Sequence, residues 1–543
     1  MPGGGQIGLV AFGNQNRFFN GNPEITCFYK AFKRYTHFSQ ENITITLDGP
    51  NIMMLDTPIK LRAKIPRYAD LLTDLSFVFD LPDMYSKLYD VSGSTTGPSF
   101  RWIHMLGPLI IDTVSIYVGG SQIQTFPGEW IAVRATTDMP ADKYLKWRNL
   151  VGDTPELNNP EWGIYGKAAN YPYQKGTYPN NLLDPSGNPT GCSVPGRQIR
   201  VPLPFWFTES WGRALPLVGL QMHEVEVQIQ LRTLREIYRV MDPTFKVEPV
   251  RWGRTLVQNT MYPVSNFTSG ATYDNLTLQA NYKSTVEDTK SSIQNFYTQA
   301  GDPVPIQEGF IMNAHLEGNY VYLTEKEQVM FAEREITHVV HQVQTFLFPS
   351  ITARTRLDLD VHGLINRIIF FGRRTDAIES RNDYLNLSNW KNLTQAPFFR
   401  MNPLPAASNS GKLVPYSQRD ILRSARLLLA GNELQEEKNA VFFEVQTPYM
   451  TTTGSGISGI SPGFVKPDEV MGPLYQMTFG LNASDHIQPS GTLNTSRIRE
   501  VQLEVQPWDL DPYSAFAYDF TVYCETINTV KITNGMGGLG FAI

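Results

Sequence analysis

The sequence predicts an all-β protein with two related β domains, and three observations support this prediction. Gly 42 and Pro 37 account for a large share of the 543 residues, and 12% are aromatic, which is typical of many strands joined by turn-rich loops. Apolar and polar residues alternate with a period of two in several segments, as in half-buried strands. Short stretches of the two halves also resemble one another in the same order, which indicates an internal duplication.

The alternation is clearest at 223–231, where Val225, Val227, Ile229 and Leu231 fall on one side and Glu or Gln residues on the other. Residues 501–506 repeat the pattern. A strand with one apolar and one polar face packs on a core and faces solvent. The other predicted strands are 43–47, 74–81, 113–118, 320–323, 355–361, 365–371, 425–429 and 518–524.

Predicted helices are short and few. Tyr144, Trp147 and Leu150 recur at helical spacing within 141–151, and this run stops at Gly152. The sequence TEKE at 324–327 has the form of a capping box and predicts a helix that extends to about residue 334.

The duplication is degenerate, and loop-like segments interrupt both copies. Three pairs of stretches keep their order: 75–79 with 367–371, 115–121 with 426–432, and 224–227 with 500–503. Their unequal offsets indicate that each copy carries its own insertions on a shared scaffold. The predicted insertions are 153–197, 397–418 and 451–468, and the polar stretch 241–308 is predicted to be a linker with an insertion.

Charge and cysteine content exclude several classes of protein. Lys+Arg 46 against Asp+Glu 52 gives a net charge of -6, whereas nucleic-acid binding needs a clustered basic face. Cys27, Cys192 and Cys524 lie too far apart to suggest a disulfide framework or a CxxC metal site, which favours a reducing compartment.

No signal peptide and no 18-residue apolar stretch is present, so we expect a chain that is neither secreted by the standard route nor membrane-spanning.

Motifs that could carry chemistry have weak contexts. Two segments, 454–459 and 535–540, match GxGxxG, but neither lies between a strand and a helix. Flexible turns and an extended tail are the better interpretations. His338 and His341 have a spacing that can bind a metal from one helical face, yet no third ligand lies at an informative distance in sequence.

A third group, Asp358, Asp360 and His362, alternates along one predicted strand and could converge on a cation. Because Arg354 and Arg356 continue the same face, we expect a solvated surface of mixed charge instead. We therefore predict no catalytic residue, no cofactor-binding residue and no metal ligand, and no cofactor.

Five blocks of sequence, spread over nearly the whole chain, resemble one family. They resemble the major capsid proteins of nucleocytoplasmic large DNA viruses, as found in chlorella viruses and mimivirus relatives. The first block, GNPEITCFYKAFKRYTHF, is similar to the N-terminal signature of the family, and GTLNTSR in the fourth to its late hallmark. The blocks are 21–38, 202–207 with 214–224, 318–332, 488–498 and 534–541.

The resemblance implies an all-β double jelly roll, that is, two consecutive eight-stranded sandwiches of two sheets each. It implies a non-enzymatic protein that self-assembles as trimeric, pseudo-hexagonal capsomers in the icosahedral shell of a large double-stranded DNA virus. The expected domains are an N-terminal arm (1–23), a first jelly roll (24–239), a linker with an insertion (240–309), a second jelly roll (310–525) and a C-terminal tail (526–543).

The same resemblance implies the partners and the location. The expected partners are two further copies in a homotrimer, neighbouring capsomers, minor capsid proteins and the inner viral membrane, without sequence-specific binding of nucleic acid. The expected location is the virion, with assembly in the host cytoplasm.

Two other functions stay open on the sequence. A β-sandwich that binds or cleaves carbohydrate has the same fold class, and fold alone does not decide function. A penton or minor capsid component is the other alternative, although such a component would ordinarily need one jelly roll.

Overall fold

The computed structural model describes most of the chain outside the predicted insertions. It forms two compact units, Met1–Ser39 and Gln40–Ile543. The first unit contains two short helices, and the second contains nearly all of the strands. The described residues are 3–10, 13–30, 32–86, 99–160, 182–183, 189–241, 296–297, 309–375, 377–378, 382–389, 419–454, 471–497, 500–510 and 516–541.

The helices are α1 (Gly4–Val10), α2 (Asn16–Asn20), α3 (Leu106–Ile110), α4 (Gly128–Asp138), α5 (Ala141–Leu150), α6 (Pro155–Asn158), α7 (Glu325–Glu333) and α8 (Thr447–Thr451), with a π-helical turn at Phe442–Gln446. The strands are β1 (Ser39–Thr46), β2 (Ile52–Met53), β3 (Ile59–Lys64), β4 (Leu71–Leu81), β5 (Tyr85–Ser86), β6 (Ser99–Trp102), β7 (Ile111–Val118), β8 (Ser121–Pro127), β9 (Leu182–Leu183), β10 (Pro189–Gly191), β11 (Arg197–Pro202), β12 (Leu215–Pro216), β13 (Val225–Leu231), β14 (Tyr238–Met241), β15 (Phe296–Tyr297), β16 (Phe310–Ile311), β17 (His315–Tyr322), β18 (Ile336–Ile351), β19 (Thr355–Leu359), β20 (Leu364–Arg374), β21 (Leu422–Leu429), β22 (Asn432–Asn439), β23 (Tyr475–Thr478), β24 (Leu493–Asn494), β25 (Val501–Pro507), β26 (Tyr518–Thr533) and β27 (Met536–Leu539).

The main strands form two sandwiches with the same strand order. In the first sandwich one sheet runs β1-β17-β4-β11 and the other β3-β13-β7-β8. In the second sandwich the corresponding sheets run β18-β26-β20-β23 and β19-β25-β21-β22. Position by position, the two sandwiches are built alike, with eight main strands each.

The predicted duplication is confirmed by this topology. The three pairs of similar stretches lie in β4 and β20, β7 and β21, and β13 and β25, and the members of each pair occupy the same position in their sheets. One pair also shares its turn. Gly119 and Gly120 join β7 to β8 with φ of 58° and 81°, and Ala430 and Gly431 join β21 to β22 with φ of 47° and 81°, as type I′ hairpin turns require.

Most predicted strands and both predicted helices are present, although many begin earlier or end later than expected. The helix predicted at 141–151 is α5, and its buried side chains are Tyr144 and Trp147. The helix predicted after Thr324 is α7. The Thr324 hydroxyl donates to Glu327 Oε2 at 3.3 Å, but neither side chain hydrogen-bonds the helix backbone. The predicted helix is therefore present, and the predicted capping box is not formed.

The predicted limits of the jelly rolls need correction. Strand β17 hydrogen-bonds to β4 with Leu316 opposite Phe77, so it completes the first sandwich although it follows the predicted boundary at 310. At the other end, β26 continues to Thr533, inside the predicted tail 526–543. The predicted limit at 310 therefore assigns β17 to the wrong sandwich, and the limit at 525 cuts β26. Most of the predicted linker 240–309 and of the insertions 153–197, 397–418 and 451–468 lies outside the described residues.

A buried aspartate stabilises, through hydrogen bonds, the segment that joins α5 to α6 of the first sandwich. Asp153 is fully buried as a side chain and accepts hydrogen bonds from Arg148 Nε at 2.6 Å and Asn158 Nδ2 at 2.7 Å. Burial alone favours the neutral carboxyl, but the attraction of Arg148 and His104 outweighs it and lowers the pKa of Asp153 to about 2. The ionised carboxylate therefore stabilises this segment at neutral pH.

The sheet that contains β20 is buried on both faces. Ile368 and Phe370 belong to the core of the second sandwich, whereas Ile369 and Phe371 belong to the apolar cluster that includes the first. All four are 0% exposed. Because successive residues of a strand point to opposite faces, this sheet lies between two apolar layers, and the two sandwiches are packed together through it.

Candidate functional site

The contact between the two sandwiches contains a buried network of charged side chains, which is the candidate functional site. It is formed by α4 and residues 204–213 of the first sandwich, and by β18, β20, β26 and residues 482–487 of the second. Its charged members and histidines are Asp138, Arg134, Glu209, Arg213, His341, Arg367, His486 and Glu525. We call this set the interdomain network.

Arg367 is the centre of the interdomain network. It projects from β20 and its side chain is 0% exposed. Its guanidinium donates to both oxygens of Asp138, at 2.6 and 2.7 Å, and to both oxygens of Glu525, at 2.7 and 3.0 Å. Asp138 ends α4 of the first sandwich and Glu525 lies in β26 of the second, so one side chain links the two sandwiches.

Electrostatics keep Asp138 and Arg367 charged. Burial alone disfavours the charge on both side chains. The attraction of Arg367 nevertheless holds the pKa of Asp138 well below its usual value, and the attraction of Asp138 and Glu525 raises the pKa of Arg367. The bidentate geometry matches the planar fork of a guanidinium to a carboxylate.

Two further arginines of the first sandwich extend the network. Arg134 donates to Glu209 Oε1 at 2.5 Å and to the Pro204 carbonyl oxygen at 3.2 Å. Arg213 donates to the His486 carbonyl oxygen at 2.6 Å and also to the Val339 carbonyl oxygen. Arg213 therefore binds the main chain of two separate segments of the second sandwich.

A pair of histidines lies beside the carboxylates. The rings of His341 and His486 are in an edge-to-face arrangement with centroids 4.5 Å apart. His486 Nε2 lies 2.9 Å from Asp138 Oδ2, and Trp130 Nε1 donates to Glu525 Oε1 at 3.1 Å. Burial, together with the positive groups around it, holds the pKa of His341 well below its usual value, so this imidazole is neutral.

Gln124 connects the histidine pair to the main chain of both sandwiches. Its Nε2 donates to the His341 carbonyl oxygen at 2.7 Å, and its Oε1 accepts from the Trp206 amide at 3.2 Å. Gln124 is 2% exposed. The relative position of the two sandwiches is therefore fixed by directional hydrogen bonds as well as by apolar packing.

The histidine motif is positioned differently from the helical metal site that we considered. His338 and His341 both lie in β18, where a spacing of three places them on opposite faces. His341 instead meets His486 and Glu525, which are distant in sequence. The sequence analysis missed these partners, but a signal for the network is present. Arg367 directly precedes the apolar run 368–371, and Glu525 directly follows the apolar run 522–524.

The other candidate motifs form no pocket site among the described residues. The segment 535–540 belongs to the β26–β27 hairpin, so the expectation of an extended tail there was wrong. The segment 454–459 lies outside the described residues after Gly454. Asp358 and Asp360 are exposed; Asp358 accepts from Gln502 at 2.8 Å. Arg354 and Arg356 both bind Glu504 on the neighbouring strand, which agrees with the expected surface of mixed charge.

Comparisons with known proteins agree over both sandwiches. The family described as "Major capsid protein N-terminus" matches residues 26–260, and the family described as "Large eukaryotic DNA virus major capsid protein" matches residues 327–538. The chain is 22% identical to probable capsid protein 4 of Acanthamoeba polyphaga mimivirus and 23% identical to the major capsid protein of Paramecium bursaria Chlorella virus 1, in each case over 99% of both chains.

Solved structures agree as well. The crystal structure of PBCV-1 VP54 matches with a TM-score of 0.60 and 18% identity, over 95% of this chain and 100% of that one. The Faustovirus major capsid protein matches with a TM-score of 0.57 and 13% identity, over 95% and 96% of the two chains. The expected all-β double jelly roll is confirmed.

Proposed function

Because this chain belongs to the family of large eukaryotic DNA virus major capsid proteins, we propose that it forms trimeric, pseudo-hexagonal capsomers that tile the icosahedral shell of a large double-stranded DNA virus. It acts by self-assembly rather than by catalysis. It is located in the capsid of the virion, and we propose that assembly takes place in the host cytoplasm.

The interdomain network is the observation that supports this proposal best. It joins two sandwiches of equal strand order into one block, so each chain offers two similar lobes. Three such chains give six lobes, and a trimer needs only one heterologous interface that is repeated three times. A block of near-sixfold outline can pack against identical blocks on a flat facet.

A segment of the second sandwich has the character of a subunit interface. Val441 directly precedes the π-helical turn, Val445 lies in it and Tyr449 lies in α8. The three recur every four residues and are 56%, 56% and 87% exposed. Residues four apart lie on one side of a helical segment. Exposed apolar side chains grouped in this way are typical of protein contacts, and we propose that this side meets a second copy of the chain.

The proposed partners beyond the trimer are neighbouring capsomers, minor capsid proteins and the inner viral membrane. Among the helices of the described residues, none has both the length and the apolar character of a membrane span.

Light scattering of the purified chain tests the proposal. We expect a mass close to three chains at micromolar concentration, with an interface of obligate size, about 2,000 Å² or more for each pair, and a six-lobed outline in electron micrographs. Tyr449→Glu should dissociate the trimer, and Leu347→Glu, at an exposed position of β18, is the control. A wild-type monomer at micromolar concentration would refute the proposal.

A carbohydrate-binding or carbohydrate-cleaving sandwich is the alternative function. It would require convergent polar groups in a concave site, whereas the charged groups brought together here are buried and paired with one another. Binding to immobilised glycans by a monomer would favour the alternative.

A further inference from the structure

Three ring nitrogens in the interdomain network lack a hydrogen-bond partner within the described part of the chain. They are both ring nitrogens of His341 and Nδ1 of His486. The two residues are only 2% and 5% exposed, so bulk water does not reach these atoms freely. Buried polar atoms nearly always have a partner, and three unpaired nitrogens in adjacent rings therefore point to a ligand.

The geometry around these nitrogens is that of a ligand set. His341, His486 and Glu525 each offer a ligand atom, and the three atoms lie within 4.8 Å of one another. His486 also has an orienting partner, since its Nε2 lies 2.9 Å from Asp138 Oδ2. Histidines that bind metals commonly donate their other ring N–H to a carboxylate. This arrangement leaves the lone pair of Nδ1 free.

The charge around the cluster is balanced. Arg134, Arg213 and Arg367 are matched by the carboxylates of Asp138, Glu209 and Glu525. Glu525 accepts three hydrogen bonds, two from Arg367 and one from Trp130. A carboxylate has about four acceptor positions, so one remains for a further ligand.

We propose that each chain binds one divalent transition-metal ion of the zinc class through His341, His486 and Glu525. Two imidazoles and a carboxylate are a donor set that Zn²⁺ favours, and water completes a tetrahedral site. The three ligands come from β18, the 482–487 segment and β26, and Asp138 of the first sandwich orients one of them. The ion therefore fastens the second sandwich at the point where the first contacts it. This inference does not depend on the viral function.

Metal content of the full-length protein tests the proposal. The protein is stripped with a chelator, mixed with excess Zn²⁺ or Co²⁺, freed of unbound metal by gel filtration and analysed for bound metal. We expect one ion per chain in the wild type and at least tenfold less in His341→Ala and His486→Ala. His362→Ala is the control, because His362 lies 3.3 Å from Asp360 in an exposed pair that could bind metal at the surface.

X-ray absorption on the zinc-loaded wild type keeps the test independent of the folding of the variants. We expect scattering from two imidazoles with Zn–N distances of about 2.0–2.1 Å. Failure of the wild type to retain metal would overturn the proposal and assign the unpaired nitrogens to water. Wild-type retention in both buried variants, loss in His362→Ala alone, or a spectrum without imidazole would also overturn it.

Discussion

Replacement of Arg367 by Met removes the central cation of the interdomain network while keeping much of its apolar volume. Asp138 would keep the contact with His486 Nε2 and a distant one with Arg134, whose Nε lies 3.6 Å from its Oδ2. Glu525 would keep only the hydrogen bond from Trp130 among those described for it. Two buried carboxylates would therefore lose their principal counter-charge.

The loss of unfolding free energy in Arg367→Met can be estimated. Loss of one partner from a buried ion pair costs about 3–5 kcal/mol because a buried charge is left uncompensated, and Arg367 serves two carboxylates, so we expect about 5 kcal/mol. Unfolding entropy is about 2.1 cal/mol/K per residue. For a cooperative unit of about 500 residues, this cost lowers the melting temperature by about 5 °C, which scanning calorimetry can resolve.

Arg354→Met is the matched control, because Arg354 also binds two carboxylates, Glu504 and Glu437, but is 42% exposed. We expect a loss of at most about 1 kcal/mol, or about 1 °C. The triple variant Arg367→Met with Asp138→Asn and Glu525→Gln should recover part of the loss, since the uncompensated charges are then gone. Equal effects of the two arginine variants, or no recovery in the triple variant, would show that Arg367 does not stabilise the contact through charge.

Three further predictions concern other parts of the chain. Asp153→Asn should lower the free energy of unfolding by about 2 kcal/mol at pH 7, because the folded pKa of about 2 lies below the unfolded value near 3.9. This contribution is complete above about pH 5 and is lost as the pH falls through 2. In denaturant unfolding, the stability of the variant should therefore fall less with acid than that of the wild type. Gly119→Ala should destabilise the protein by about 1–3 kcal/mol, since the new Cβ would lie 2.4 Å from His223 Nδ1 at a position with positive φ. Ala430→Gly at the equivalent turn should stabilise it by about 0.5 kcal/mol in the same assay, because glycine adopts positive φ without the steric strain of a Cβ. Deletion of 1–20 should leave the melting temperature and the trimer mass unchanged but reduce the yield of shells in electron micrographs; an unchanged yield excludes an assembly role.

Alternation predicted the strands that have one buried face. In β13 the burial alternates strictly between apolar and polar residues, and the strand predicted at 223–231 is present. Helix α4 was not predicted, because it is buried on nearly all sides. Nine of its 11 residues are buried, including Glu129, Thr136 and Thr137, so it has no polar face from which a helical period could be read.

The interdomain network could not be assembled from one sequence. Arg367 and Asp138 are 229 residues apart, and Arg367 and Glu525 are 158 apart. No local spacing relates them. Arg367 and Glu525 meet across neighbouring strands of one sheet, and Asp138 joins them only when α4 packs against that sheet. The informative signal was a charged residue next to a buried apolar run. Such a residue indicates that a buried partner exists, but it does not identify the partner.

Ion pairs give the contact between the two sandwiches a directionality that apolar packing alone would not give. Apolar surfaces of similar shape can slide or rotate at small cost, since the hydrophobic effect is non-directional. The hydrogen bonds of the Arg367 guanidinium and of Arg213 form in only one relative position of the two sandwiches. If one sandwich were displaced, these charges would be buried without partners. In a chain that presents two lobes to its neighbours, an error in the angle between the lobes would be passed on to every contact of the capsomer. We therefore infer that the interdomain network sets the angle between the lobes, and that apolar packing supplies most of the stability of the contact.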